Sequence, residues 1–144
     1  MRGVGVTVRV TVPMVALAIV VLAVGTAQAT HAPDHRFLVL GYVTDGEDHP
    51  VANARVVVTR LKTGYEYPTA TERDGFYLVI LHLHDEDEGE RLQIDVKGVT
   101  GEVRASFDAQ DKKVERGTRV DVKGDRLVET KSAFAETLRD YLSR

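Results

Sequence analysis

The chain has 144 residues, a formal net charge of −3 and no cysteine. The lack of cysteine excludes disulfides, a lipidated cysteine anchor and a cysteine nucleophile. The first 29 residues contain two of the 19 basic residues and none of the 22 acidic ones, so the remainder carries a net charge of −5. A chain with this net negative charge is a poor binder of nucleic acid, and we expect no nucleic-acid partner.

The N-terminus has the pattern of an export signal. Arg2 and Arg9 precede an apolar run, Val10–Val24, and small residues ending in Ala27-Gln28-Ala29 follow it. This predicts a signal peptide over residues 1–29, cleavage at its end, and a periplasmic or secreted product without a membrane span. The alternative is an uncleaved N-terminal membrane anchor, because the apolar stretch approaches the roughly 20 residues that cross a bilayer.

The rest of the chain reads as a β-protein. Residues 30–36 are short and polar and predict a flexible lead-in. Seven segments rich in β-branched, leucine and aromatic residues then alternate with turn clusters, at the spacing of an all-β sandwich. The segments are Phe37–Thr44, Ala54–Leu61, Glu66–Thr71, Gly75–His84, Arg91–Val96, Glu102–Phe107 and Thr118–Val122. We therefore expect an antiparallel β-sandwich over residues 37–124.

The fourth segment is apolar on both faces, which is typical of a central strand covered on both sides. Alternation places Tyr77, Val79, Leu81 and Leu83 on the face that we expect to line the core. Phe76, Leu78, Ile80, His82 and His84 fall on the opposite face.

The C-terminal segment changes period. Leu127, Phe134, Leu138, Tyr141 and Leu142 recur at helical spacing, which predicts an amphipathic helix within residues 125–144. Two roles are open for it: docking against an open side of the sandwich, or forming a surface for a partner or for self-association.

Three passages resemble the carboxypeptidase regulatory-like domain. They are Gly41-Tyr42-Val43-Thr44-Asp45, residues 50–58 from Pro50 to Val58, and Thr71-Glu72-Arg73-Asp74-Gly75-Phe76-Tyr77. The resemblance covers residues 38–98 and implies a seven-stranded, transthyretin-like (immunoglobulin-like) sandwich that serves as a non-catalytic accessory or adhesive module. Similar domains have a short proline-glycine turn after the fourth strand, whereas residues 82–90 form a longer and more charged segment here.

A pair of histidines is the main metal-ligating pattern. His82 and His84 are two apart on a predicted strand, so their rings lie on one face about 6 to 7 Å apart. Such a pair can chelate one copper or zinc ion, and His31, His35 or His49 can complete the shell. The alternative is two surface histidines and no cofactor. The acidic run Asp85-Glu86-Asp87-Glu88 lacks the spacing of a calcium loop, so we expect a solvated loop there.

The sequence contains no motif that specifically indicates catalysis. Ser106, Ser132 and Ser143 have no neighbouring histidine in sequence, and no Gly-x-Ser-x-Gly elbow occurs. The end of the chain lacks the Tyr-Arg-Gly-Ser type motif of transthyretin-like hydrolases of hydroxyisourate. Intradiol dioxygenases have a similar sandwich and hold iron with two tyrosines and two histidines. Tyr42, Tyr65, Tyr67 and Tyr77 supply that residue type, but the chain is too short for the usual substrate cleft.

We therefore predict no enzyme activity and no catalytic residues. The leading functional prediction is an exported module that binds or scaffolds a protein or a cell-envelope polymer. The alternative is a periplasmic copper- or zinc-binding protein that uses His82 and His84.

Overall fold

The computed structural model describes residues 36–144. The predicted signal peptide, and with it the lead-in up to residue 35 including His31 and His35, lies outside the described residues. Within residues 36–144 there are eight strands, two 3₁₀ turns (Asp85–Asp87 and Lys131–Ala133) and one helix. The strands are β1 (Arg36–Thr44), β2 (Arg55–Arg60), β3 (Glu66–Ala70), β4 (Phe76–His82), β5 (Arg91–Val96), β6 (Val99–Arg104), β7 (Gly117–Lys123) and β8 (Arg126–Glu129), and the helix α1 is Phe134–Leu142.

The strands form two four-stranded sheets, of order β4-β1-β7-β8 and β3-β2-β5-β6. Neighbouring strands are antiparallel except for β1 and β7, which run parallel. The expected β class is confirmed, but the prediction of seven antiparallel strands is wrong in number and in direction. The parallel pair arises because residues 105–116 carry the chain from the second sheet back to the first. Local sequence patterns do not reveal such a long connection.

The eighth strand lies where the sequence predicted the C-terminal helix. Lys123 pairs with Arg126, so Gly124 and Asp125 form a two-residue hairpin loop. Gly124 has a φ of +60°, the left-handed region that such loops require and that glycine adopts readily. Residues 126–129 are consequently a strand, and the helix is confined to Phe134–Leu142.

The sixth strand begins earlier than predicted for a similar reason. Lys97 and Gly98 both have positive φ and form the loop between Val96 and Val99, which pair with each other. The hairpin therefore closes immediately after β5. As a result, Gly101 lies inside β6 rather than in the turn.

The facing sides of the two sheets enclose one apolar core. Tyr77, Val79, Leu81 and Leu83 belong to it, as the alternation predicted. The prediction of a central fourth strand is wrong, because β4 is an edge strand of the first sheet. Its apolar outer side has another cause: the first part of the strand is covered by α1.

Helix α1 packs on the outer face of the first sheet. Phe134 and Leu138 form a second apolar cluster with Leu38, Leu40 and Phe76. Tyr141 stacks on Phe76 at a centroid distance of 4.7 Å. The docking alternative for the C-terminal helix is thus confirmed. In the described part of the chain, no helix has the length and apolar character needed to span a bilayer.

Candidate functional site

The two candidate metal-ligating histidines lie together at the end of β4. Their ring centroids are 4.8 Å apart and the rings are nearly perpendicular, at 89°. His82 is exposed and is the last residue of the strand, while His84 follows the strand and is half-buried. The two rings therefore lie together, as the spacing predicted, and they are closer than the 6 to 7 Å expected from ideal strand geometry.

The structure places His49, a candidate third ligand, away from this pair. His82 pairs with Arg36 at the start of β1, whereas His49 follows the end of β1 and accompanies Asp45 in an exposed loop. Nine residues of extended strand separate the two ends, which amounts to about 26 Å. Within residues 36–144, no group of three or more histidine or carboxylate side chains is placed to hold a metal ion.

The acidic run beside these histidines is exposed at Asp85, Glu86 and Glu88, as expected of a solvated loop, but not at Asp87. Its 3₁₀ turn, Asp85–Asp87, turns Asp87 inward until its side chain is only 4% exposed. The Asp87 carboxylate accepts hydrogen bonds from Lys62 Nζ at 2.8 Å and from the His84 backbone N–H at 3.0 Å. It also lies 3.1 Å from a terminal guanidinium nitrogen of Arg60. Three donors from two segments therefore fix this carboxylate.

The contacts of the Asp87 carboxylate determine its protonation state. Burial alone would raise the pKa of Asp87, but the hydrogen bonds from Lys62 and from the His84 backbone, with the charges of Arg60 and Lys62, lower this pKa to about 2. Asp87 is consequently ionised at neutral pH.

Arg60 links this turn to the neighbouring strands. Its guanidinium makes a bidentate pair with Glu90, with Nε to Oε1 at 3.0 Å and a terminal nitrogen to Oε2 at 2.6 Å. Its second terminal nitrogen donates to the His82 carbonyl at 3.1 Å. The hydrogen bond to Glu90 raises the pKa of Arg60 despite its burial. Arg60, Lys62, Asp87 and Glu90 form a charge cluster, which holds together the end of β2, the end of β4 and the start of β5.

Asp85 anchors the chain on the other side of the turn. Its carboxylate pairs with Lys112 and, at 3.0 Å, with Arg116. Arg116 is buried and lies over the Phe107 ring, with its guanidinium carbon 4.3 Å from the ring centroid. The acidic run therefore also fastens the connection 105–116 that leads into β7.

A cleft of about 430 Å³ opens next to the charge cluster. Its lining includes the acidic segment 86–90 together with Lys62, Arg91 and Arg104. Arg91 pairs with Glu102 at 2.6 Å, and Arg104 donates to the Gly89 carbonyl. The cations lining this cleft are thus engaged by groups of the protein itself.

The four tyrosines considered above as iron ligands, out of five in the chain, lie in three places. The Tyr42 hydroxyl accepts a hydrogen bond from Arg144 on the outer face of the first sheet, and Tyr77 lies in the core. Tyr65 and Tyr67 lie at the start of β3 with ring centroids 4.8 Å apart, on the end of the molecule that carries His82. The structure does not bring all four tyrosines to the histidine pair.

Within residues 36–144, no helix covers the outward residues of β2, β3 and β5 on the second sheet, which we call the open face. A shallow depression of about 300 Å³ lies on it. Its lining consists of Arg55, Val57, Thr59, Glu66, Gln93, Asp95 and Lys97. Val57 is half-buried among these polar side chains. Sequence reasoning named an exposed sheet face in general terms but did not identify these residues.

No protein-family model matches the chain, and no curated protein matches it in sequence. The solved structures that are similar to the chain include two dioxygenases. The catechol 1,2-dioxygenase from Acinetobacter sp. ADP1, solved with bound mercury as inhibitor, is 13% identical with a TM-score of 0.41 over 78% of this chain and 50% of that one. The dioxygenase domain of a dioxygenase carbohydrate-binding protein fusion from Streptomyces sp. SirexAA-E is 11% identical, with a TM-score of 0.38 over 70% of this chain and 79% of that one. This chain spans about half the length of the catechol 1,2-dioxygenase.

The comparison corrects one prediction. The prediction that this chain is not an enzyme is contradicted by the likeness to these two dioxygenases. At these identities and TM-scores the likeness assigns no reaction to this chain. That the chain needs no cofactor stays a prediction.

Proposed function

We propose that this chain is an exported module that binds a protein or a cell-envelope polymer through the open face. The observation that carries the proposal is the contrast between the two outer sheet faces. Helix α1 buries much of the first sheet's outer face beneath Phe134 and Leu138. The second sheet presents its charged side chains to solvent around a shallow depression.

The chemistry of the open face suits a partner of mixed charge. Arg55 and Lys97 supply positive charge, Glu66 and Asp95 supply negative charge, and Val57 supplies apolar surface between them. Among the described residues, no ion pair involves Arg55, Glu66 or Lys97. These charges can therefore pair with carboxylates and amines of a partner, such as those of a protein segment or a peptidoglycan stem peptide.

Two sequence features support the same proposal. The leader pattern of residues 1–29 predicts export, which brings the domain to envelope polymers and envelope proteins. The resemblance to the carboxypeptidase regulatory-like domain implies an accessory or adhesive module.

Photo-cross-linking in cells that export the protein tests this function. A benzoylphenylalanine at Val57 is expected to give a discrete adduct with an envelope protein or with peptidoglycan. The same probe at Val128, which is exposed on β8, is the matched control. The Val57 adduct is expected to disappear in the charge-reversed Arg55→Glu/Lys97→Glu variant. Equal adducts at both positions, or none at Val57, would count against the open face.

The second candidate function is copper or zinc binding by His82 and His84. The observation that favours it is the 4.8 Å separation of the ring centroids. Two imidazoles that bind one ion at 2.0–2.1 Å through adjacent coordination positions have ring centroids about 5 Å apart. The pair therefore has a separation suitable for chelation, and His31 or His35, water or a second molecule can take the remaining positions.

Titration with Cu²⁺ and Zn²⁺ tests this candidate. Saturable binding of one ion is expected to be lost in the His82→Ala/His84→Ala variant and retained in the His49→Ala control. It is expected to weaken in acid, because imidazole must be deprotonated to bind a metal. Absence of saturable binding in the unaltered protein would eliminate this function.

A further inference from the structure

The backbone that carries the two histidines is extended at the end of β4. His82 is the last residue of the strand, and His84 has a φ of −86° and a ψ of 173°, which continue the extended conformation. Leu83 lies between them and is buried in the core, at 1% exposure. Because successive side chains of an extended chain point to opposite faces, both imidazoles lie on the face away from the core.

One guanidinium holds the backbone of both histidine residues. Nη1 of Arg60 donates to the His82 carbonyl oxygen at 3.1 Å. Nη2 of Arg60 lies 3.1 Å from Oδ2 of Asp87, and the same oxygen accepts the His84 N–H at 3.0 Å. The Asp87 N–H donates in turn to the His84 carbonyl oxygen at 3.0 Å. Arg60 therefore fixes His82 directly and fixes His84 through Asp87.

This arrangement is shielded from water and tied to the second sheet. The side chains of Arg60 and Asp87 are only 12% and 4% exposed. The bidentate pair with Glu90, just before β5, sets the plane of the Arg60 guanidinium. Charge-assisted hydrogen bonds of this kind are roughly twice as strong as neutral ones. The backbone of residues 82–84 is consequently restrained by a group that belongs to β2.

We propose that Arg60 is a positioning residue for metal binding, which holds His82 and His84 at the separation at which they chelate one Cu²⁺ or Zn²⁺ ion. This role rests on the second candidate function, metal binding by the histidine pair. A pair of ligands that is already held in its bound conformation binds more tightly than a pair that must be ordered on binding. Residues that orient metal ligands in this way contribute roughly 10- to 100-fold in metal affinity.

Titration of Cu²⁺ into the full chain against a competing chelator, with circular dichroism showing that each variant is folded, measures this role. Arg60→Met is expected to raise the dissociation constant for Cu²⁺ about tenfold or more. Arg60→Lys keeps a positive charge beside Asp87 but lacks the planar fork that also reaches the His82 carbonyl, and it is expected to act in the same direction. Lys62→Met is the matched control, because Lys62 pairs with the other oxygen of Asp87, Oδ1. It is expected to leave the Cu²⁺ affinity unchanged.

Electron paramagnetic resonance of the Cu²⁺ complexes separates positioning from a general loss of stability. The unaltered protein and Lys62→Met are expected to give the same nitrogen couplings at equal loading. Folded Arg60→Met is expected to show fewer imidazole nitrogens on the ion, because its two ligands are no longer held together. Identical couplings in all three proteins would overturn the positioning role.

Nuclear magnetic resonance of the metal-free protein tests the positioning without any ion. An Overhauser contact between the His82 and His84 rings is expected in the unaltered protein and is expected to weaken in Arg60→Met. An undiminished ring contact in Arg60→Met, or an unchanged Cu²⁺ affinity in both Arg60 variants, would overturn this role and leave the metal function intact. Absence of saturable Cu²⁺ binding in the unaltered protein would eliminate the metal function and the positioning role with it.

Discussion

The Tyr77 hydroxyl donates a 2.7 Å hydrogen bond to the Val120 carbonyl oxygen inside the core. Strand β1 lies between these residues, and its Gly41 pairs directly with Tyr77. The ladder between β1 and β7 omits Gly41 and Tyr42, and the Tyr42 N–H donates to the Asp121 side chain instead. A Cβ on Gly41 would overlap the Val120 carbonyl oxygen. Glycine at this position therefore allows that carbonyl to turn toward Tyr77.

Gly41→Ala is expected to lower the free energy of unfolding by about 3 kcal/mol, because either β7 must move or the carbonyl must leave Tyr77. Chemical denaturation of the full chain measures the change. Gly46→Ala is the matched control, since a Cβ on Gly46 meets no atom within 4 Å. Similar losses in the two variants would show that the close approach at Gly41 is not the cause.

Tyr77→Phe tests the same contact from its other end. It leaves the Val120 carbonyl buried without its donor, at an expected cost of about 1–3 kcal/mol. Burial also raises the pKa of the Tyr77 hydroxyl, so spectroscopic titration of the folded protein is expected to show one tyrosine that does not ionise until the protein unfolds. A folded protein in which all tyrosines ionise together would contradict the buried hydrogen bond.

The strands were predictable because their side-chain pattern is local. Alternation in β4 placed Tyr77 and Leu81 on the core face, and the i, i+2 spacing brought His82 and His84 together. Sheet order was not predictable, because the parallel partner of β1 is β7, far away in sequence. The apolar outer side of β4 misled the strand assignment, since a helix rather than a second sheet covers it.

The burial of Asp87 within the acidic turn was not predicted, for a different reason. A run of four carboxylates indicates solvent exposure unless the sequence shows which cations reach it. Arg60 lies 30 residues before Glu90 and Lys62 lies 25 residues before Asp87. Only the pairing of β2 with β5 brings them together. The usable signal was the presence of two cations at the end of the second predicted strand.

Replacing Arg60 with methionine is expected to cost about 3 kcal/mol of unfolding free energy, because two buried carboxylates lose their shared cation. Denaturant unfolding with unchanged m-values measures this loss. Arg91→Met is the matched control: its pair with Glu102 is about half exposed on both sides, and such pairs contribute at most about 1 kcal/mol. Equal losses of unfolding free energy in Arg60→Met and Arg91→Met would mean that burial of the charge cluster adds nothing to stability.

Because the fold lowers the pKa of Asp87, we expect a specific dependence of stability on pH. Its pKa is about 2 in the fold, against an ordinary value of 3.8. A carboxyl whose pKa is lowered by folding stabilises the folded state above its unfolded pKa, and this contribution is lost as the pH falls from about 3.8 toward 2. The stability difference between the unaltered protein and Asp87→Asn is therefore expected to be constant near neutral pH and to shrink across that window.

Unfolding measured at successive pH values gives this difference profile. Glu86→Gln removes one negative charge from an exposed neighbour in the same turn and controls for net charge. A difference for Asp87→Asn that stayed constant down to pH 2, or a matching profile for Glu86→Gln, would contradict the role assigned to the buried carboxylate.

Phe134→Ala tests whether the docked helix stabilises the sheet beneath it. Phe134 is 6% exposed, and its ring lies so close to Gly117 that a Cβ there would overlap it. Truncation leaves a cavity over Leu38 and Leu40 and is expected to cost about 3 kcal/mol of unfolding free energy. Leu142→Ala, at a position 74% exposed on the same helix, is expected to stay within about 0.5 kcal/mol. A larger loss of unfolding free energy in Leu142→Ala than in Phe134→Ala would contradict stabilisation through the buried side of α1.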